Sequence, residues 1–461
     1  MTAEMDEQPL RTTIAQMMPE VRADLERLVR IPSVSFEGFH ADPLLVAAAA
    51  TRDLLASVGV ADARLVDLPA DHPPAVVGSI PAAQGAPTVL LYAHYDVQPP
   101  GDDSAWTTPA FEPLERDGRL YGRGSADDKA GVVAHAAALR AFGGRPPVGV
   151  KIVIEGEEET GESALDEFVP ANPELFSADA ILVVDMGNEE LGRSTLTTSL
   201  RGVTSLTVEV RTLQGEVHSG AFGGAAPDAL MALIRMLATL QDDDGSCAVA
   251  GLTASEWEGA DQPEDVFRRL ACVLDGVALT GSGTVASRLW GKPAVNVLGI
   301  DAPGVEGSRN ILVDVARARI SLRVPPEQDP REAQRLLMAH LQSVAPWGAR
   351  VSFTPLETGP GIRVRSDGPA FGVMRRAMAA AFGSEPDEQG SGGSIPLIDV
   401  LVRTFPAAEI LMFGPEEPLT NIHAPNESVD LRELEGTVLA ETLFIAWLAG
   451  SYEPGASTLG A

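Results

Sequence analysis

The chain has 461 residues, more than one hydrophobic core usually organises, so two domains are expected. Its formal net charge of −31 excludes a basic nucleic-acid footprint and argues against binding to anionic membranes. With only two cysteines, Cys247 and Cys272, a disulfide scaffold and a thiolate zinc site are both excluded.

The opening MTAEMDEQPLRTT carries early acids and no apolar run, so it does not read as a secretory signal. No stretch approaches about 18 apolar residues, so no membrane span is expected. A cytoplasmic protein with reduced thiols is the reading that follows. Val21, Leu25, Leu28 and Val29 share one helical face, which Pro32 stops. DPLLVAAAATRDLLASVGV predicts a second helix, with Pro43 near its start and Gly59 at its end. PTVLLYAH, VGVKIVIEG and ADAILVVDMG read as buried strands, and DDKAGVVAHAAALRAFGG as an Ala-rich helix between the first two. Short apolar strands alternating with helices argue for an α/β sheet with covered faces.

The pattern changes near residue 200. RGVTSLTVEVR sets Leu206, Val208 and Val210 on one face. ARARISLRV alternates Ala316, Ala318, Ile320, Leu322 and Val324 against Arg317, Arg319, Ser321 and Arg323. With helices near 227–240 and 330–343, this middle region predicts a separate α+β layer carrying an irregular insertion over 241–290. Buried α/β character returns after about residue 358 and ends in the helix LRELEGTVLAETLFIAWLAG. The tail EPGASTLGA is expected to be disordered.

Acids and histidines recur just past the buried strands or at a helix start, the place where open α/β sheets bind ligands. AHYDVQPPG offers His94 and Asp96, which face the same way on an extended chain. GRGSADDKAG offers Asp127 and Asp128, which helix capping would equally explain. EGEEETGE offers Glu155, Glu157, Glu158, Glu159 and Glu162, either as a solvated acidic loop or as a cation site. AILVVD ends in Asp185, and LTNIHAPNE holds His423. Together these supply two imidazoles, several carboxylates and no thiolate. That set suits two zinc or manganese ions of the two-metal hydrolase type, bridged by one carboxylate, with another free as general base on water.

HYDVQP, YGRGSADDKAG, EGEEETG, VVDMGN and HAPNE, in this order over nearly the whole chain, resemble the successive motifs of M20-type metallopeptidases. The nearest branch is the cytosolic dipeptidases similar to carnosine dipeptidase. The resemblance implies a mixed-sheet α/β zinc-peptidase catalytic domain (1–199 and 358–461) and an inserted α+β, ferredoxin-like lid and dimerisation domain (200–357). It implies two divalent ions, zinc first and manganese second, held by His94, Asp127, Glu159, Asp185 and His423. Asp127 would bridge the two, joined to Asp128 by a cis peptide. Asp96 would orient His94, and Glu158 would act as general base and then acid. His218, in GEVHSGAFGG, would reach the active site of the partner subunit in a homodimer. Asn310 and Arg323 would contact substrate, Arg323 by clamping its carboxylate. Arg323 shares its face with Arg317 and Arg319, so a salt-bridge face is the other reading.

The chain departs from the family at residues 390–396, GSGGSIP, where relatives often read Arg-Glu-Gly-Gly-Ser-Ile-Pro. Gly392, Gly393 and Ser394 still suit a backbone-lined substrate loop. Gly390 and Ser391 replace a large charged pair, which predicts a wider pocket. The activity implied is hydrolysis of dipeptides with a free carboxylate. The runner-up is removal of an acyl or carbamoyl group from an amino acid, and a non-catalytic metal-binding relative is disfavoured by the presence of Glu158.

Overall fold

The computed structural model describes residues 7–161, 164–393 and 395–451. Glu162, Ser394 and the 452–461 tail lie outside the described residues. The described residues divide into two compact units, one within 1–198, 364–388 and 395–461, the other within 199–363 and 389–394. Among the described residues no helix is long and apolar enough to cross a membrane.

The first unit is built on a mixed sheet. Thr88–His94 lies between Gly149–Glu155 and Ala180–Val183, parallel to both, and Glu409–Met412 extends the sheet parallel to Ala180–Val183. Ala75–Ile80 runs antiparallel on the other side of Gly149–Glu155. The apolar runs that predict these strands are buried on both faces, as parallel strands require. Helices Glu7–Val29, Lys129–Ala141, Pro369–Phe382 and Leu431–Ser451 share one core with strand residues Leu91, Ala93, Ile152, Ile154 and Leu182. The first helix begins earlier than its clearest periodicity suggests. It starts at Glu7 and runs through Pro19, with Ile14 on the buried face.

Register fixes the functional edge. His94 pairs with Glu155 and Tyr92 with Val183, so three parallel strands end side by side. The residues that follow them, Asp96, Glu157–Glu159 and Asp185, are thereby delivered to one end of the sheet.

The second unit is a four-stranded antiparallel sheet in the order Ala294–Asp301, Val315–Val324, Gly202–Arg211, Arg350–Gly359. Helices Ala229–Leu237 and Pro330–Ser343 complete a β-α-β-β-α-β, ferredoxin-like arrangement. The alternating residues read from the sequence face this core: Leu206, Val208, Val210, Ala316, Ala318, Ile320 and Leu322. The insertion holds the short helix Glu264–Leu270 and little other regular structure. Cys247 and Cys272 are free thiols.

A buried ion pair ties the helix beneath the functional edge to the C-terminal helix. His135 Nδ1 lies 2.9 Å from Glu441, and its Nε2 lies 3.0 Å from the Tyr92 carbonyl. Burial works against charge on His135, but Glu441 outweighs it and raises the pKa. Removing one partner of such a pair strands a buried charge, so Glu441→Ala is expected to cost about 3–5 kcal/mol in urea unfolding. Because the folded pKa lies above the unfolded value of about 6.5, the pair's contribution is full below that pH. The difference between parent and variant should therefore shrink as pH rises through the folded pKa.

Candidate metal centre

Most first-unit residues singled out from the sequence gather around one centre at this edge. His94, fully buried at the end of its strand, has Nε2 3.1 Å from Asp127 Oδ1 and 3.8 Å from Asp185 Oδ1. His423 Nε2 lies 2.9 Å from Asp127 Oδ2 and 3.2 Å from Glu159 Oε2. Asp127 thus turns one oxygen toward each imidazole. Three overlapping sets of donor atoms each lie within 4.8 Å of one another: His94–Asp128–Asp185, Asp127–Glu159–His423 and Asp127–Asp185–Glu416.

The backbone around these groups is tightly specified. The Asp127–Asp128 peptide is cis. Both readings of Asp128 bear on its geometry, and capping accounts for its carboxylate. Asp128 Oδ1 accepts the Gly131 N–H at 3.0 Å at the helix start, and Oδ2 accepts the His94 N–H at 3.1 Å. Only glycine fits at 131, since a Cβ there would lie 2.3 Å from Asp128 Oδ1 and 2.6 Å from the Val184 carbonyl. Asp96 sits 3.3 Å from His94 Nδ1. It also accepts the N–H groups of Glu158 and Glu159, each at 3.2 Å, so one carboxylate sets both the imidazole and the glutamate turn.

The acidic run divides by environment. Glu159 is 3% exposed in its side chain and receives two bonds from Gln98, N–H at 3.0 Å and Nε2 at 2.7 Å. Glu158 is 16% exposed and stands 3.9 Å from His94 Nε2. Glu158 thus keeps slightly more contact with solvent than Glu159. Glu155 accepts the Tyr92 hydroxyl. Glu157, for which the sequence leaves a solvated or a hydrogen-bonding role, is paired with His72.

Sequence reasoning missed three contributors. Glu416 is buried, with an oxygen in the donor set of Asp127 and Asp185. It follows the buried strand EILM, the same context that singled out Asp185, and could have been found that way. Gln98 orients Glu159 from within the HYDVQP motif. Glu427, the last residue of HAPNE, is fully buried. It accepts from Arg123 Nη1 at 2.7 Å and from the N–H groups of Gly124, Ala126 and Asp127 at 3.1, 3.0 and 3.2 Å. It holds the turn that presents Asp127.

The electrostatics are those of a site short of positive charge. Burial pushes Glu158 and Glu416 well above the ordinary carboxylate range, with Asp185 and Asp127 adding to it. Burial, then Asp127, raise Glu159 to about 7. Asp127 alone among the donor carboxylates is lowered: burial opposes its charge, but hydrogen bonds to His423 and His94 prevail. Those bonds, first to Asp127 and then to Glu159, raise His423 to about 11. Imidazoles and carboxylates without thiolates fit divalent cations, which would remove the crowding of negative charge.

The second unit carries the remaining predicted residues. His218 is exposed, and its Nδ1 accepts the Ala221 N–H at 3.1 Å. Its strand pairs with Ile311–Leu312, and the Ser219 N–H donates to the Asn310 carbonyl at 2.9 Å, so His218 and Asn310 lie together. Arg317 pairs with Glu209 and Asp301, and Arg319 with Glu357. Arg323 has no ion pair among the described residues, and burial lowers its pKa. The Gly393 N–H donates to Ser391 Oγ at 3.2 Å, and Gly392 is exposed. The space beside residue 390 is occupied. A Cβ at Gly390 would lie 2.5 Å from Trp290 Cγ, so the indole fills the room a larger residue would need.

The fold and this donor set define a hydrolase, and comparison places it. Residues 90–446 match the model of peptidase family M20/M25/M40, and the chain belongs to that family. It is 41% identical over 382 residues to the cysteinylglycine-S-conjugate dipeptidase of Corynebacterium striatum, covering 81% of this chain and 84% of that one. It is 26% identical to the β-Ala-His dipeptidase of Rattus norvegicus, over 93% of this chain and 89% of that one. Human carnosine dipeptidase 1 shares the fold with a TM-score of 0.78 at 24% identity, over 96% and 98% of the two chains.

Removing Glu427 would leave Arg123 buried without its counter-charge and free the Asp127 turn. Glu427→Ala is expected to lose about 3–5 kcal/mol in urea unfolding and to bind zinc at least about tenfold more weakly by calorimetric titration.

Proposed function

We propose that the protein is a dinuclear metal-dependent dipeptidase. The observation that carries this reading is Asp127, whose two oxygens face two different imidazoles, as a carboxylate shared by two cations would. His94 and Asp185 would complete one shell, His423 and Glu159 the other. Two divalent ions, zinc or manganese, would supply Lewis acidity toward the scissile carbonyl and lower the pKa of water. Glu158 does the proton work. Its carboxylate stands beside the cluster, more exposed than Glu159, and takes a proton from the attacking water and returns it to the leaving amine.

The second unit supplies recognition. Arg323, the arginine of its strand without an ion pair among the described residues, reads the substrate carboxylate. His218, exposed on its short strand, serves the partner subunit's site in a homodimer and stabilises the oxyanion. A partner surface is supported by the edge strand Ala294–Asp301, which leaves Val297, Leu298 and Ile300 exposed. The two free thiols suit a cytoplasmic location. The relatives named above as dipeptidases support the choice of dipeptides over N-acyl amino acids.

Chelator-stripped protein reloaded with zinc or manganese is expected to hydrolyse dipeptides in preference to N-acyl or N-carbamoyl amino acids. Glu158→Ala should keep its metal content and lose about 10²–10⁴-fold in kcat; near-parental turnover would remove Glu158 from the mechanism. His218→Ala should lower kcat with an unchanged melting temperature, and light scattering should show a dimer. A fully active monomer would defeat the shared-site reading.

A further inference from the structure

A cavity of about 750 Å³ lies within the second unit, lined mostly by the insertion. Its size falls in the range of small-molecule sites, about 300–1,000 Å³. None of the residues assigned above to metal, proton transfer or substrate lines it. Leu252, Phe267 and Val285 give it an apolar wall, and Arg201, Cys247 and Asn296 are among the polar residues that line it.

Three cations border the space, and two are accounted for. Lys292 Nζ pairs with Glu256 at 2.7 Å and donates to the Ser282 carbonyl at 2.8 Å. Arg288 is half-buried and donates from Nε to the Gly283 carbonyl at 3.0 Å. Arg201 differs. It is only 6% exposed, its Nη2 reaches just the Lys292 and Arg323 carbonyls at 2.9 and 3.3 Å, and its Nε has no hydrogen-bond partner. No carboxylate pairs with it among the described residues. Burial, then the nearby Arg323 charge, lower its pKa to about 10.

A guanidinium buried without a counter-ion is costly, and a carboxylate in the cavity would remove that cost with a charge-assisted bond. We propose that this cavity binds an amphipathic carboxylate, its head on Arg201 and its apolar body against Leu252, Phe267 and Val285. Arg201 donates to the Arg323 carbonyl, but none of the residues of the peptidase reading lines the cavity, and its occupancy does not depend on that reading.

Cys247 reports on occupancy without recourse to hydrolysis. In the metal-loaded, full-length Cys272→Ser protein, alkylation of Cys247 would be followed by mass spectrometry with octanoate or its uncharged counterpart octanamide. Octanoate is expected to slow labelling saturably, and octanamide to bind at least about tenfold more weakly, roughly 1.4 kcal/mol. Arg201→Met should erase the difference between acid and amide. Ala278→Trp, which crowds the lining and leaves Arg201 in place, should abolish protection relative to its own ligand-free rate. Equal protection by acid and amide, no protection by either, or a preference that survives Arg201→Met would overturn the proposal.

Discussion

Asp127 and Glu427 form the joint on which the first unit's site depends. One carboxylate faces both imidazoles, and the other holds the backbone that presents it. Glu427 accepts from one guanidinium and three backbone N–H groups, so its position is determined from four directions. The turn at Gly124–Asp127 and the loop containing His423 are thereby fixed to each other. His423 adopts a left-handed backbone, φ 61°, as do Asn421 and Asn426. Such a loop persists only where its surroundings determine it, and Glu427 together with the bonds of Asn426 to Thr107 and Ala105 provides that support.

The two units handle buried charge in opposite ways. In the first, acids are gathered at the ends of parallel strands, beyond what two histidines can neutralise. In the second, the solvent-facing arginines of the Val315–Val324 strand are largely matched by Glu209, Asp301 and Glu357, and the unmatched buried charge, Arg201, is positive. A formal net charge of −31 conveys neither fact. It describes the solvated surface, whereas ligand chemistry follows from the few charges withdrawn from water.

Most of the fold was legible in the sequence because its signals are local. Unbroken runs such as VLLYA mark strands covered on both faces, and the alternation of ARARISLRV marks one that is half-covered. The principal first-unit donors were legible for a related reason: they sit directly after those strands or at a helix start. Glu416 apart, much of what escaped notice depends on pairing between distant segments. Glu427 and Asp127 are 300 residues apart, and nothing near either announces the other. Glu157 resembled its neighbours in EGEEETGE, and its partner His72 lies 85 residues upstream. Gly390 suggested spare room until Trp290, from the insertion, proved to occupy it.

The long separation between Glu427 and the turn it holds also bears on the order of synthesis. A chain leaving the ribosome exposes Asp127, Glu158, Glu159 and Asp185 long before His423 and Glu427 exist. Domains fold largely in the order in which they emerge, and the second unit lies between these two parts of the first. The strands and acids of the first unit must therefore wait through the making of an entire inserted unit before the centre can close. The full set of donors, with Glu416 and His423, exists only when the last tenth of the chain arrives.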